Sequence, residues 1–134
     1  MIDETTEALV RHRLDQAATA LDDARYLQAG GRSPQGVVNR AYYAMFYAGL
    51  ALLQRRGRTP TKHTGVLGLF DTEFVARGTL SKDLSKSFHR TYRLRQDSDY
   101  QHLHPATREQ AQELIDEAAR FVAAIHSYLD TAED

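Results

Sequence analysis

The sequence predicts an all-α protein: an antiparallel four-helix bundle with one additional short helix, in a single domain over residues 1–134. Three observations predict it. Leucine, alanine and charged residues dominate, and no β-branched run suits a strand. Apolar residues recur every three or four positions over long stretches. Glycine, proline and hydroxyl residues stand where such stretches begin and end. With 42% apolar and 26% charged residues in 134, the chain can bury one core and does not read as disordered.

Helix one is expected over residues 4–29, with Val10, Leu14, Ala17, Leu21 and Ala24 on one face and Gly30-Gly31 as its stop. Helix two should open at Ser33-Pro34, an N-cap followed by proline at the first helical position. It continues through "VVNRAYYAMFYAGLALLQRR" to Gly57. Its apolar residues fall nearly all round, which marks the central, most buried helix. "GRTPTK" reads as a loop, followed by a short helix over about 64–77 that Gly78 ends. Helix four starts at the Ser81 N-cap, and "HLHP" breaks the pattern after it, because Pro105 disfavours helix in the residue before it. Helix five should cover 108–131, with Thr107 and Gln110 as a capping box and Ala111, Leu114, Ala118, Phe121, Ile125 and Tyr128 as its stripe.

Composition narrows the function classes. There is no cysteine, which excludes disulfides, thiolate catalysis and cysteine-ligated zinc. No apolar run approaches the ~18 residues of a membrane span, and the acidic start "MIDETTEALVRHR" lacks a signal-peptide h-region. A cytoplasmic protein without membrane contact is expected. Net charge is −1, but its distribution is uneven. Residues 1–31 hold six acids and three bases, residues 32–95 twelve Lys/Arg and three acids, and residues 96–134 nine acids and two bases. A basic middle between acidic flanks suits a polyanion partner such as RNA, or a surface paired with the acidic helices beside it.

The chemistry-bearing candidates lie on helix four. Lys82, Lys86, Arg90 and Arg93 take its outer face, while the seam runs Leu84, Phe88, Tyr92, Arg95, Asp99, His102. Arg95 and His102 are seven apart, which returns them to nearly one face. A guanidinium offers a fixed positive fork for phosphate oxygens. An imidazole titrates near pH 6.5 and can trade a proton at neutral pH. Together they suffice for RNA cleavage without a metal: a base takes the 2′-hydroxyl proton and a cation stabilises the phosphorane. The alternative is structural, with Arg95 and Asp99 as an intrahelical i, i+4 ion pair and His102 in a loop. His102 and His104 form an H-x-H pair, but no i, i+4 histidine pair or local carboxylate cluster completes a metal site, so neither metal nor cofactor is expected. On helix two, Asn39 and Arg40 are polar groups in an apolar stretch and need partners if buried, with Asp97 or Asp99 suited to Arg40. Tyr42, Tyr43 and Tyr47 could stack bases, or pack as core with their hydroxyls at the rim.

"NRAYYAMFYAGLALLQRRG", "KHTGVLGLF" and "LRQDSDY", in that order, resemble the HEPN domain, and most closely its small stand-alone prokaryotic branch. The resemblance covers about residues 10–128. It implies a helical bundle that forms a homodimer. In active members an arginine followed after four to six residues by histidine marks a metal-independent endoribonuclease, and the dimer brings two copies of that motif into one cleft. Here the motif falls on Arg95 and His102, with Gln96 as the polar residue after the arginine and Asp99-Tyr100 as the branch's Asp-Tyr pair. Asp99 would orient Arg95, while Arg40 and Tyr43 would line the site. Where the toxin branch carries a tyrosine two residues after the histidine, this chain has His104. The implied function is a ribonuclease toxin encoded beside a minimal nucleotidyltransferase antitoxin and yielding a 2′,3′-cyclic phosphate. The other implied role is a non-catalytic module binding nucleotide, RNA or a nucleotidyltransferase.

Overall fold

The computed structural model describes residues 3–96 and 102–131, and within them every regular element is helical. The elements are α1 (Glu4–Ala29), α2 (Pro34–Arg55), α3 (His63–Phe70), α4 (Lys82–Gln96) and α5 (Arg108–Thr131). Asp3 caps α1 by accepting from the Thr6 N–H at 2.7 Å. Pro34 opens α2 as expected. At the start of α5, the Thr107 N–H donates to Gln110 Oε1 at 2.9 Å, and the Gln110 N–H donates to Thr107 Oγ1 at 3.1 Å. This is the reciprocal capping box read from the sequence. Thr107→Ala is expected to cost about 1 kcal/mol, seen as a lower urea midpoint at unchanged slope.

Helix directions follow from hydrogen bonds between their ends. Gln28, late in α1, donates to the Arg108 carbonyl at the start of α5, and Gln35, early in α2, donates to the Leu94 carbonyl near the end of α4. Arg55, ending α2, donates to the Leu129 carbonyl near the end of α5. Consecutive long helices therefore run antiparallel, and α2 and α5 run the same way. α2 packs against α1, α3, α4 and α5, as its all-round apolar pattern demands.

The core centres on a triangle of fully buried rings from three helices. Phe88 of α4 lies 4.9 Å from Phe121 of α5 and 5.5 Å from Phe70 of α3, and Phe70 lies 5.2 Å from Phe121. Gly49 lets α2 approach this triangle, since a Cβ there would sit 3.3 Å from Phe88 Cε2 and 3.5 Å from Val66 Cγ1.

The structure departs from the expected single helix over 64–77. α3 ends at Phe70 and continues as a π turn over Asp71–Val75, closed by the Ala76 N–H donating to the Asp71 carbonyl at 2.8 Å. Apolar spacing does not reveal one inserted residue in a turn. Tertiary partners hold it: Asp71 accepts from Ser85 Oγ at 2.6 Å and pairs with His89 Nε2 at 2.6 Å, both on α4. Gly78, at φ 76°, then takes the left-handed conformation beyond the turn.

Part of the central basic excess is taken up inside the fold. Arg90 of α4 meets Glu117 at 2.9 Å and Glu113 at 3.7 Å, and Ser87 Oγ donates to Glu117 at 2.7 Å. Lys82, Lys86 and Arg93 stay exposed on the same helix. No helix of the described residues is long and apolar enough to cross a membrane.

Candidate functional site

The site forms where the N-terminal half of α2, the start of α3 and the end of α4 meet. Along α2, Val38, Tyr42, Met45 and Gly49 recur at three- and four-residue spacing and all are buried. That periodicity drives the Tyr42 ring into the core, and Tyr43, one position round the helix, is left half-buried at the rim. Arg40 stands one turn before Tyr43, and Tyr47 one turn after it with its ring 5.7 Å away.

Arg95 lies in the last turn of α4 and lays its guanidinium over both tyrosines, 4.8 Å from the Tyr42 ring centre and 5.3 Å from that of Tyr43. Its Nη1 donates to the Tyr43 hydroxyl at 3.5 Å and its Nη2 to Gln96 Oε1 at 3.0 Å. Arg40 approaches the Tyr43 ring to 5.1 Å and donates to Asn39 Oδ1 from Nε and Nη2, at 3.3 and 3.1 Å. Two guanidinium groups thus share one tyrosine ring. Each contact is a cation–π interaction, typically worth about 0.5–2 kcal/mol according to how dry it is. A groove lined by His12, Asp15, Asp23, Arg40 and Tyr47 adjoins this face and carries carboxylates.

The structure adds a residue that the sequence pattern does not single out. His63, the first residue of α3, places Nδ1 2.8 Å from the Tyr42 hydroxyl. Its ring stacks on Phe46 at 4.2 Å and 16°, and the Tyr43 ring meets it edge-on at 5.9 Å and 90°. Burial first, and the nearby Arg95 charge second, hold its imidazole below the ordinary histidine range. Burial likewise pushes the Tyr42 phenol well above its ordinary value, partly offset by Arg95 and reinforced by Tyr43 and Tyr92. Both groups are therefore neutral at pH 7.

The depressed imidazole ties stability to pH. A histidine with a native pKa below its unfolded value, near 6.5, binds its proton more readily in the unfolded chain. Stability is full above that unfolded value and is lost as pH falls through it, until the native imidazole also protonates. His63→Gln should flatten that fall below about pH 6.5, measured by urea unfolding at several pH values.

Of the sequence-predicted residues, the structure brings Arg40, Tyr43, Arg95 and Gln96 together. Asp97, Asp99 and Tyr100 lie outside the described residues. His102 is exposed, and no hydrogen bond, ion pair or ring contact among the described residues joins it to Arg95. Among the described residues no group of three potential metal ligands converges. The only sequence signal for His63 is its place in "KHTGVLGLF", because its spacing from Tyr42 follows no local period.

The family model for the HEPN domain matches residues 10–128. The chain belongs to the HEPN domain family. It is 36% identical over 124 residues to a UPF0332 protein of Thermotoga maritima, covering 92% of this chain and 93% of that protein. It is 38% identical over 92 residues to a protein of Methanocaldococcus jannaschii named "Putative toxin MJ0605", covering 69% of this chain and 68% of that one. Among solved structures, TT1696 from Thermus thermophilus superposes with a TM-score of 0.73 at 23% identity, over 88% of this chain and 96% of that one. That likeness supports the fold.

Proposed function

We propose that this chain is a metal-independent endoribonuclease acting as a homodimer, the toxin of a two-gene pair whose antitoxin is a minimal nucleotidyltransferase. The observation that carries the reading is the guanidinium of Arg95 placed 4.8 Å from the Tyr42 ring centre and 5.3 Å from that of Tyr43, with Arg40 on the Tyr43 ring as well. Concentrated positive charge beside rim tyrosines suits a phosphodiester flanked by bases, because the cations meet phosphate oxygens and the half-buried Tyr43 and Tyr47 rings can border a base. The relatives named as toxins support the same direction.

In the reaction, His102 takes the proton of a 2′-hydroxyl, and that oxygen forms a bond to phosphorus. Arg95 stabilises the negative charge gathered on the phosphorane oxygens. The bond from phosphorus to the 5′ oxygen breaks, and that oxygen takes a proton from a general acid, which the paired copy's motif would supply. The products are a 2′,3′-cyclic phosphate and a 5′-hydroxyl. Asp99 orients Arg95 in this reading. The test is cleavage of single-stranded RNA in excess EDTA, with end-group analysis of the products. His102→Ala is expected to lose cleavage by about 10²–10⁴-fold. Full activity in that variant would remove His102 from the mechanism.

The exposure of His102, with no described contact to Arg95, favours a second reading. In it the chain is a non-catalytic module that binds nucleotide, RNA or a nucleotidyltransferase. Salt-sensitive binding of RNA without turnover by the wild-type chain would select it.

A further inference from the structure

Tyr42 is completely buried, and among the described residues its hydroxyl is hydrogen-bonded to His63 Nδ1 at 2.8 Å. A buried phenol that fails to place its proton is costly, so its O–H donates to Nδ1. The neutral imidazole must then carry its own proton on Nε2. Phe46 and Tyr43 fix the ring plane by stacking and edge contact. Arg95 reaches over Tyr42 and Tyr43 from α4. An imidazole and a guanidinium, on two different helices, are thus anchored to one pair of rings.

We propose that His63 is a second phosphate-binding side chain of the Arg95 site, donating Nε2–H to a phosphodiester oxygen, with Tyr42 as the positioning residue that fixes its tautomer. This rests on reading the site as a phosphodiester site. Among the described residues, Tyr42, Tyr43 and Phe46 from α2 and the Arg95 charge from α4 face the imidazole. In the free protein burial first, and that charge second, disfavour imidazolium. A bound phosphate supplies the opposite charge, so binding should draw a proton onto His63 as pH falls.

The experiment uses the full chain labelled with ¹⁵N-histidine and titrated with a short 2′-O-methyl RNA oligonucleotide, which presents phosphodiesters but has no 2′-hydroxyl to attack. In the free protein His63 should show the Nε2–H tautomer. On adding the oligonucleotide, its Nε2 resonance should move and its titration midpoint should rise. His63→Ala should weaken binding of the oligonucleotide by about tenfold or more, and His63→Gln, which keeps a donor at the Nε2 position, should restore part of it. Tyr42→Phe keeps the core ring and should mix the tautomers, weakening binding several-fold. Saturating oligonucleotide that leaves the His63 resonances unmoved, or wild-type affinity in a folded His63→Ala chain, overturns the proposal. Cleavage of unmodified RNA is scored separately. Binding with the His63 response but no cleavage sinks the ribonuclease reading and keeps this one, whereas cleavage without the His63 response does the reverse. Neither binding nor cleavage sinks both.

Discussion

Under the proposed ribonuclease function, Arg95→Ala is expected to cut RNA cleavage in EDTA by at least about 10²–10³-fold, the usual cost of deleting one preorganised group that meets developing charge. The loss should fall on kcat as well as kcat/KM, because charge on the phosphorane is greater than in the bound substrate. Arg95→Lys keeps the charge but gives up the planar fork that lies over Tyr42 and Tyr43. It should recover only a small part of the activity. Folding should survive either change, since the fully buried core is made by other side chains. Circular dichroism and a thermal melt check that. An Arg95→Ala chain with wild-type cleavage would end the assignment of this guanidinium to catalysis.

Phe88→Ala should be the most damaging single substitution for the fold. Phe88 is fully buried and closes the triangle with Phe70 and Phe121, while Gly49 of α2 is fitted against its ring edge. Deleting the ring removes apolar burial and leaves a cavity that three helices cannot all close upon, costing about 3–5 kcal/mol. For a domain of this size that is on the order of 10 °C or more in Tm. Phe88→Leu, which refills most of the space, should recover over half of it. A Phe88→Ala loss below about 1 kcal/mol would mean that the triangle does not hold α4 in place.

The helices were legible because their signals are local. Periodic apolar residues, Pro34 at the head of α2 and the Thr107–Gln110 box set α1, α2 and α5 close to where the structure has them. The site was legible in part. Arg95 and Arg40 could be singled out as charged groups in apolar patterns, whereas Gln96 and the site role of Tyr43 came from the family resemblance; the structure sets the four near one another. The π turn was not legible, because one added residue leaves the apolar spacing nearly unchanged while Asp71, Ser85 and His89 hold it from across the fold.

The amino-acid order by itself determined an all-helical chain, its central helix and the concentration of positive charge along its middle, since each depends on neighbours within a turn or two. Only the packed structure decided that His63 meets Tyr42, that Arg95 lies on the same ring, and that Arg90 is taken up by Glu117 of α5. Those pairings join residues from separate helices. Their distances are set by how close the helices approach, and here by a glycine at position 49 and rings at 70, 88 and 121 that no short window of sequence relates to one another.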